Sequence, residues 1–277
     1  MTALDATPLS PALGIEVADI DLSKPLGGET VSALRSLWLE HGVMLFRGQF
    51  LDDPQLVDAA RLFGEPVAPN TVSGPEAGRD PHVLLISNIR ENGEPIGALP
   101  DGELQFHSDS AFLAEPLMAT MLHGDRIPSR GGETLFASAA KAYETLSDDQ
   151  KERLRGLEAV NAYDYYTQVK TAAYDRTTGP FAVHPVVRTH PETGRKVIYV
   201  NRLMTEEIVG KPAEESDAIL ADLFERLEDP GLRYTHVWRP GDVLIWDNRS
   251  VQHARNDFPA EEARLLRRVG LKGDRPY

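Results

Sequence analysis

The sequence predicts a mainly β fold, a β-sandwich or jelly roll with helices packed on its outside. Short β-rich runs are concentrated in the middle and C-terminal parts of the chain, whereas helical patterns occur early and in the connections between these runs. A doubly wound α/β fold fits this order less well. The sequence contains no Gly-x-Gly-x-x-Gly or Walker-type phosphate loop, so no motif indicates a nucleotide-binding site.

Helical periodicity marks several segments that are bounded by residues known to start or stop helices. Gly42 and Gly64 follow the first two segments as stop signals, and Ser147 with Gln150 forms a capping-box pattern at the start of the third. Pro212 precedes the last segment, which carries an apolar stripe. The predicted helices cover residues 30–41, 53–63, 147–157 and the stripe at 219–227.

Strands are predicted where β-rich runs end at turn-forming residues. The turn sequence Pro-Glu-Thr-Gly at residues 191–194 separates two such runs and predicts a hairpin. Residues 70–101 are rich in Gly, Pro, Asn and Asp around one strand, which is typical of mobile loops that cover active sites. The predicted strands cover residues 43–46, 82–87, 117–123, 134–137, 183–189, 196–200, 234–238, 243–246 and 267–271.

The composition limits which partners and which chemistry are available. The chain has 277 residues with 41% hydrophobic and 26% charged residues, and we expect one domain over residues 1–277. Its net charge of −14 argues against general binding to nucleic acid or to anionic membranes. The absence of cysteine excludes disulfides and thiolate ligands, so any metal must be bound by His, Asp or Glu.

The chain also lacks sequence signals for export or membrane insertion. Its N-terminus has no basic region followed by an apolar core, and no apolar run approaches the roughly 18 residues that a membrane helix needs. We therefore expect a cytoplasmic protein without a membrane partner.

A possible metal motif lies in residues 104–110, Leu-Gln-Phe-His-Ser-Asp-Ser, which resemble a strand end. His107 and Asp109 are two positions apart, so in an extended segment both side chains point to the same face. Fe(II) and similar cations accept imidazole and carboxylate together, and a site of two histidines and one carboxylate leaves positions open for substrates. A His-x-Asp pair alone is weak evidence for a metal site and is also found at polar strand edges, so a second histidine is needed.

Distant residues supply the missing parts. His253 follows a predicted strand and a polar turn, where a ligand at a strand end is plausible. Further along, Arg264, Leu266 and Arg268 share one face of a predicted strand. Two guanidinium groups on one wall of an apolar barrel suit bidentate recognition of carboxylates. Solvated surface arginines are the alternative interpretation of this segment.

These elements together resemble the taurine dioxygenase and 2,4-dichlorophenoxyacetate dioxygenase family of Fe(II)/2-oxoglutarate enzymes. The family pattern is His-x-Asp, a threonine after Gly-Gly-(Asp/Glu), a late histidine and then an arginine pair. In this sequence the pattern occurs in the same order, and the similarity spans nearly the whole chain. The matching residues are His107, Asp109, Thr134 in Gly-Gly-Glu-Thr, His253, Arg264 and Arg268.

The resemblance implies a fold and a role for each matching residue. The fold would be a double-stranded β-helix, a variant of the jelly roll. His107, Asp109 and His253 would bind Fe(II), and Thr134 and Arg264 would hold the distal carboxylate of the cosubstrate 2-oxoglutarate. O2 would be the second cosubstrate, with succinate and CO2 released. Resemblance and base rate also suggest a homodimer or homotetramer.

Arg268 would hold the anionic group of a small organic substrate, or the near carboxylate of the cosubstrate. The chain departs from the taurine pattern at residues 69–72 and at Glu103, and its segment around Asn88 is closer to the carboxylate-oxidising branch. A carboxylate is therefore the expected substrate. The alternatives are a sulfonate, a sulfate ester or an amino-acid-like substrate. A metal-binding jelly roll without oxygen chemistry, such as a Zn(II) hydrolase, is a further alternative, whereas Asp109 argues against a halogenase.

Several aromatic residues are candidates for the substrate pocket, although each is also compatible with an ordinary core or rim position. Residues 161–180, rich in Tyr, Thr and Gly, are a candidate lid with a plain surface loop as the alternative. Asn88 is a further candidate for substrate binding. The aromatic candidates are Phe106, Phe112, Tyr163 and Tyr165.

Overall fold

The computed structural model describes residues 4–69, 80–98, 102–163 and 179–277. The strands in chain order are β1 (Ala6–Pro8), β2 (Ile15–Val17), β3 (Val43–Phe46), β4 (Pro66–Val67), β5 (Val83–Ser87), β6 (Arg90–Glu91), β7 (Glu94–Pro95), β8 (Leu104–His107), β9 (Ala119–Arg126), β10 (Thr134–Ser138), β11 (Glu158–Ala162), β12 (Phe181–Pro185), β13 (Val187–Thr189), β14 (Lys196–Ile198), β15 (Thr205–Ile208), β16 (Arg233–His236), β17 (Val243–Asp247), β18 (Val251–Arg255) and β19 (Leu265–Leu271). The helices are α1 (Gly28–His41), α2 (Asp53–Arg61), α3 (Ala139–Glu144), α4 (Asp148–Leu154) and α5 (Ala213–Leu227).

Two sheets form the central sandwich. The larger sheet has the order β1-β2-β3-β17-β9-β19-β4, with β5 also paired to β19, and the smaller has the order β16-β10-β18-β8. Buried residues of both sheets pack against each other between them, among them Leu122, Leu244 and Leu266 from the larger sheet and Phe136 and Val251 from the smaller. The predicted β-sandwich or jelly-roll architecture is confirmed.

The outer face of the larger sheet packs against α1 and α2. Met121, Ile245 and Val269 of this sheet form one cluster with Trp38 of α1 and Leu56 of α2. Because the larger sheet is covered on both faces, β3 is buried at every position, which explains its continuous apolar run. The prediction that helices pack outside the sheets is confirmed.

The helix predictions are correct in location and differ at the ends. Gly42 has a left-handed backbone with φ 73° and donates its N–H to the carbonyl of Trp38, so the predicted glycine C-cap is present. α2 begins with a capping box between Asp52 and Gln55 and ends at Arg61, two residues before the predicted end. α4 ends at Leu154, also earlier than predicted.

The predicted strand at residues 183–189 is in fact two strands. β12 pairs with β11, whereas β13 pairs with β14 in the predicted hairpin. Pro185, at the end of β12, has no N–H for a ladder, and the next N–H, that of Val186, bonds to the carbonyl of Leu157. The chain therefore changes sheets at this point. No helix in the described part of the chain is long and apolar enough to span a membrane.

Candidate metal centre and cavity

The hydrogen-bonded register of two strands brings the candidate histidines together. β8 and β18 are antiparallel neighbours in the smaller sheet, and His107 and His253 are direct partners across this pair. Partner residues point to the same face of a sheet. Their imidazole rings therefore lie side by side, with centroids 4.1 Å apart.

Asp109 completes a group of three possible ligands. His107 Nε2 is 3.8 Å from Asp109 Oδ1, and His253 Nε2 is 4.0 Å from Asp109 Oδ2. Bonds from a transition-metal cation to such ligands are about 2.0–2.2 Å long, so one cation can bridge separations of this size. Among the described residues this is the group of His and acidic side chains that could hold a metal ion.

Burial sets the protonation states that a cation needs. It lowers the pKa of His107, and it lowers the pKa of His253 well below the usual value, with the neighbouring His107 as the second cause. Burial alone would raise the pKa of the Asp109 carboxyl, but the Arg268 guanidinium, the two neighbouring histidines and the hydrogen bond from Thr120 together more than offset this and hold that pKa well below its usual range. Two neutral imidazoles and one carboxylate are the forms that bind a divalent cation.

Local contacts at the end of β8 orient the His107 ring and turn the chain after Asp109. His107 Nδ1 lies 2.8 Å from the carbonyl of Gln105, which directs its other ring nitrogen, Nε2, towards Asp109. Ser110, directly after Asp109, has a left-handed backbone with φ 59° and turns the chain away from the strand direction.

The carboxylate of Asp109 is held by a chain of side chains that the sequence did not reveal. Thr120 Oγ1 donates to Asp109 Oδ2 at 2.5 Å, and Asn248 Nδ2 donates to Thr120 Oγ1 at 3.0 Å. Trp246 Nε1 in turn donates to Asn248 Oδ1 at 2.9 Å. These residues come from two strands of the larger sheet and the turn after one of them, so no local sequence signal connects them.

The three candidate ligands line a cavity of about 350 Å³ between the two sheets. Much of its wall is apolar, including Leu84, Ile86, Leu104, Leu117, Leu122 and Phe112. Polar and charged side chains besides the ligands also line it, among them Glu115, Thr134, Arg255, Arg264, Arg268 and Lys272. A cavity of this kind can hold a small organic molecule whose polar end faces the metal site.

Arg264 and Arg268 both line this cavity, as the alternation of β19 predicts. Arg268 Nη2 is 2.9 Å from Asp109 Oδ1, which places a cation directly beside the candidate metal ligands. The intervening Arg267 points to the opposite face, where it binds Asp53 and Asp125. The prediction that Arg264 and Arg268 share one face is confirmed.

Arg264 is a buried cation whose charge is not neutralised by any carboxylate among the described residues. Only 2% of the residue is exposed, and its Nη2 donates to the carbonyl of Gly132 at 3.2 Å. It forms no ion pair with a carboxylate of the described residues. Burial lowers the pKa of its guanidinium to about 9, with the charge of Arg255 as the second cause. An anion that enters the cavity would relieve this cost.

Thr134 lies at the start of β10 and also lines the cavity. Its Oγ1 accepts a hydrogen bond from Trp238 Nε1 at 2.9 Å. An indole N–H can only donate, so the hydroxyl hydrogen of Thr134 stays available for an acceptor in the cavity.

The aromatic candidates have different positions. Phe112 and Tyr163 line the cavity and pack edge to face, with ring centroids 4.9 Å apart at 90°. Phe106 lies on the opposite face of β8 from His107, in a separate small apolar cluster with Ala137. Phe106, a candidate for the substrate pocket, therefore does not line the cavity.

Asn88 is also placed differently from the prediction. It does not line the cavity; its side-chain amide bonds to the backbone of the segment that leads into β19. Contacts with residues so far along the chain cannot be read from local sequence. Tyr165, most of the candidate lid at 161–180 and residues 70–72 of the loop that departs from the taurine pattern lie outside the described residues.

Comparison with protein families agrees with this arrangement. A family model described as "Taurine catabolism dioxygenase TauD, TfdA family" matches residues 5–269, which is most of the chain and includes every residue of the candidate centre.

Three curated relatives match along nearly their whole length. Pentalenolactone F synthase of Streptomyces avermitilis is 33% identical, over 99% of this chain and 96% of the relative. The alpha-ketoglutarate-dependent sulfate ester dioxygenase of Pseudomonas putida is 33% identical, over 99% and 91%. The alpha-ketoglutarate-dependent 2,4-dichlorophenoxyacetate dioxygenase of Cupriavidus pinatubonensis is 31% identical, over 97% and 98%.

A solved structure shows the same fold. The crystal structure described as a taurine dioxygenase from Burkholderia xenovorans superposes with a TM-score of 0.83 at 32% identity, covering 99% of this chain and 92% of that one. The agreement extends the jelly-roll assignment from the central sandwich to the connections around it.

Proposed function

Because the chain belongs to the TauD, TfdA family and is therefore an Fe(II)- and 2-oxoglutarate-dependent dioxygenase, we propose that it hydroxylates a small organic carboxylate, with release of succinate and CO2. The observation that carries the choice of an anionic substrate is Arg268, whose guanidinium reaches the cavity beside Asp109 at 2.9 Å. A substrate anion bound there would place its adjacent carbon atoms close to the metal site.

His107, Asp109 and His253 would hold Fe(II), which supplies the activation of O2 and the coupled oxidation of cosubstrate and substrate. Their fit is supported by the neutral state of the two imidazoles, the ionised state of the carboxylate and the absence of cysteine. Thr120 fixes one oxygen of Asp109, and Gln105 fixes the ring of His107. The ligands are thus held in place before a cation arrives.

Arg264 and Thr134 would bind the far carboxylate of 2-oxoglutarate. Arg264 offers a buried positive charge that no carboxylate in the described part of the chain pairs with, and Thr134 offers a hydroxyl hydrogen that Trp238 leaves available. Binding the far end of the cosubstrate fixes the direction in which its reactive end points across the cavity. It also removes the cost of the uncompensated charge.

The apolar wall would receive the body of the substrate. Phe112 and Leu117 line the same cavity as Arg268, so an anion with an apolar portion fits better than a fully polar molecule. The 2,4-dichlorophenoxyacetate dioxygenase among the relatives is named for a substrate of this chemistry. This support favours an aryl or alkyl carboxylate.

A sulfate ester is the second candidate. Another relative is named as a sulfate ester dioxygenase, and a guanidinium such as that of Arg268 binds sulfate oxygens as well as carboxylate oxygens. The two candidates differ in the shape of the anionic group and not in its charge sign.

The test combines binding and turnover. We expect a weak visible absorption band when the Fe(II)-loaded protein is titrated with 2-oxoglutarate without oxygen. In air, phenoxyacetate should stimulate succinate release more than hexyl sulfate or taurine. Arg268→Met should remove this stimulation, whereas Arg267→Met, the matched change on the opposite face, should not. Absence of the band, with no succinate from any acid or ester, would overturn the proposal; greater stimulation by hexyl sulfate would favour the second candidate.

We also propose that the active form is a homodimer or homotetramer of single-domain subunits, which follows from the base rate for such enzymes. Light scattering coupled to size-exclusion chromatography would measure the mass. A monomeric mass at micromolar concentration would contradict this part of the proposal.

A further inference from the structure

Two consecutive side chains at the end of β5 hold both backbone polar groups of Arg264. Asn88 Oδ1 accepts from the backbone N–H of Arg264 at 2.8 Å, and Ser87 Oγ donates to the backbone carbonyl of Arg264, also at 2.8 Å. Ser87 is 1% exposed, so this contact is shielded from water. The backbone of the cavity-lining arginine is therefore fixed by side chains and not by the ordinary strand ladder.

The other half of the Asn88 amide holds the approach to this arginine. Asn88 Nδ2 donates to the carbonyl of Glu262 at 2.8 Å and to that of Ala260 at 3.2 Å. With the bond to Arg264, one amide thus spans five residues of the segment that leads into β19. All of these acceptors and donors are backbone groups, so the interaction depends on Asn88 and not on the identity of residues 260–262.

The hydrogen bonds from Ser87 and Asn88 to the Arg264 backbone lie where the sheet gives Arg264 little support. β19 begins at Leu265, one residue after Arg264, and its pairing with β9 is irregular between Leu265 and Leu266. Without a regular ladder on that side, the first residue of the segment could shift or rotate. Asn88 and Ser87 replace the missing ladder contacts.

The guanidinium has little room to tolerate such a shift. A Cβ atom placed on Gly132 would lie 3.0 Å from Arg264 Nε, so the side chain passes directly over this glycine. The Phe258 ring lies on another side, with its centroid 5.4 Å from Arg264 Cζ. A displacement of the Arg264 backbone would therefore move the guanidinium along the cavity instead of being absorbed by side-chain rotation.

We infer that Asn88, assisted by Ser87, is a positioning residue for 2-oxoglutarate: it acts on the cosubstrate through Arg264 and without touching it. The inference rests on the proposed role of Arg264 in binding the far carboxylate. Because carboxylate recognition by arginine depends on bidentate geometry, a small displacement of the guanidinium weakens binding.

The test measures the Kd of 2-oxoglutarate for the Mn(II)-loaded protein by calorimetry in the absence of oxygen. We expect Asn88→Ala to raise this Kd about tenfold, the loss typical of one misaligned hydrogen bond. Arg264→Met should raise it about 100-fold, as expected for a charged hydrogen bond to a carboxylate. The double variant should bind no more weakly than Arg264→Met alone, because Asn88 has nothing left to position.

Two further variants separate positioning from general stability. Asn88→Asp keeps an acceptor for the Arg264 N–H but loses the donor to Glu262 and Ala260, so we expect a smaller rise in Kd; this variant carries the test if Asn88→Ala does not fold. Gln49 is the matched control, since its amide also clamps a loop through backbone groups, those of Leu22, Ile20 and Arg47. Gln49→Ala should lower the melting temperature and leave the Kd unchanged.

Steady-state kinetics in air give an independent reading. Asn88→Ala should raise the KM for 2-oxoglutarate with kcat at saturating cosubstrate close to that of the parent protein. An unchanged Kd in folded Asn88→Ala, or effects that simply add in the double variant, would overturn the inference alone. An unchanged Kd in Arg264→Met would instead overturn the proposed role of Arg264, and the inference with it.

Discussion

Two arginines at the start of the β19 segment, Arg264 just before the strand and Arg267 within it, point to opposite faces and are held in opposite ways. On the outer face, Arg267 Nε binds Asp125 at 2.7 Å, its Nη1 binds Asp53 at 2.7 Å, and its Nη2 also donates to the carbonyl of Leu51 at 2.6 Å. On the inner face, Arg264 donates to one carbonyl, that of Gly132, and has no carboxylate partner in the described structure. Two positions three residues apart, one just before β19 and one within it, thus carry an uncompensated arginine and a fully paired one.

The pKa values show what this difference means. Burial opposes the charge of Arg267, but Asp125 and Asp53 more than offset it and raise its pKa, whereas burial lowers the pKa of Arg264 to about 9. A paired arginine stabilises the fold, while a buried arginine without a partner costs stability until an outside anion arrives. Between these two residues, the presence of carboxylate partners therefore distinguishes the structural Arg267 from Arg264, although both are buried arginines.

The largest expected effect is on activity and metal binding, at the candidate metal centre on the inner face of the sandwich. His253→Ala removes one of three ligands, so we expect succinate formation to fall to background and Mn(II) binding to be lost with the fold intact. Calorimetry, an activity assay and circular dichroism would measure the three quantities. Gln252→Ala is the control on the opposite face of β18, since this side chain bonds to the carbonyl of Val200. Normal turnover in His253→Ala would contradict the ligand assignment.

Replacing each arginine by methionine tests whether Arg267 stabilises the fold and Arg264 does not. Arg267→Met leaves Asp53 and Asp125 without their cation, so we expect a loss of about 2 kcal/mol in the free energy of unfolding. Arg264→Met removes an uncompensated charge from an apolar site, so it should cost little stability or even increase it. Urea denaturation of both variants would measure this. A larger stability loss in Arg264→Met than in Arg267→Met would show that the two arginines are not divided in this way.

A smaller effect is expected at Gly270, the next inner-face position after Arg268. Gly270 lines the cavity, and a Cβ there would lie 2.9 Å from Leu117 Cδ1, so Gly270→Ala should push Leu117 and narrow the pocket. We expect turnover of substituted phenoxyacetates to fall about tenfold relative to small aliphatic acids, the scale of one methyl group in a pocket. Val269→Ala, on the outer face, should lower stability without changing this ratio. Equal losses for both substrate sizes would contradict a role for Gly270 in the shape of the pocket.

The smallest effect concerns pH and the outer face alone. Burial would raise the pKa of Asp125, but hydrogen bonds from His123 and Arg267 lower it to about 2. A carboxyl whose pKa is lowered on folding stabilises the protein above its unfolded pKa, near 4, and this contribution is lost as the pH falls towards 2. Because the side chain is one-quarter exposed, we expect about 1 kcal/mol. Asp125→Asn should flatten the unfolding free energy between pH 4 and 2; an unchanged pH profile would contradict the pairing.

The parts of the site that could be predicted from sequence depend on short-range geometry. The closeness of His107 to Asp109, and the shared cavity face of Arg264 and Arg268, were predicted from the two-residue period of an extended segment, although Asp109 lies just after the end of β8 and Arg264 just before the start of β19. His253 was then identified as the third ligand from the order of motifs along the chain. The sandwich and most of its strands were predictable for the same reason, because period and turn residues are local signals.

The parts that sequence did not reveal depend on contacts between distant segments. Asn88 was expected to contact substrate, but its partners lie more than 170 positions further along the chain. Thr120 and Asn248, which hold Asp109, are 128 positions apart, so local sequence does not reveal their contact either. β11 and β15 were missed because their sequences carry weak alternation and gain their burial from α5 and the adjacent hairpin.

The pairing of β8 with β18 has a consequence for how the protein folds. Of the three candidate ligands, only His107 and Asp109 are close in sequence, whereas His253 arrives when two strands far apart along the chain have found their register. Closing so long a loop is slow and entropically costly, and a single residue of slippage would turn His253 to the wrong face. A cation therefore cannot assemble this site early. We expect bound metal to slow unfolding while leaving the rate of folding almost unchanged. The metal stabilises the pairing of β8 with β18, which forms only after the transition state for folding.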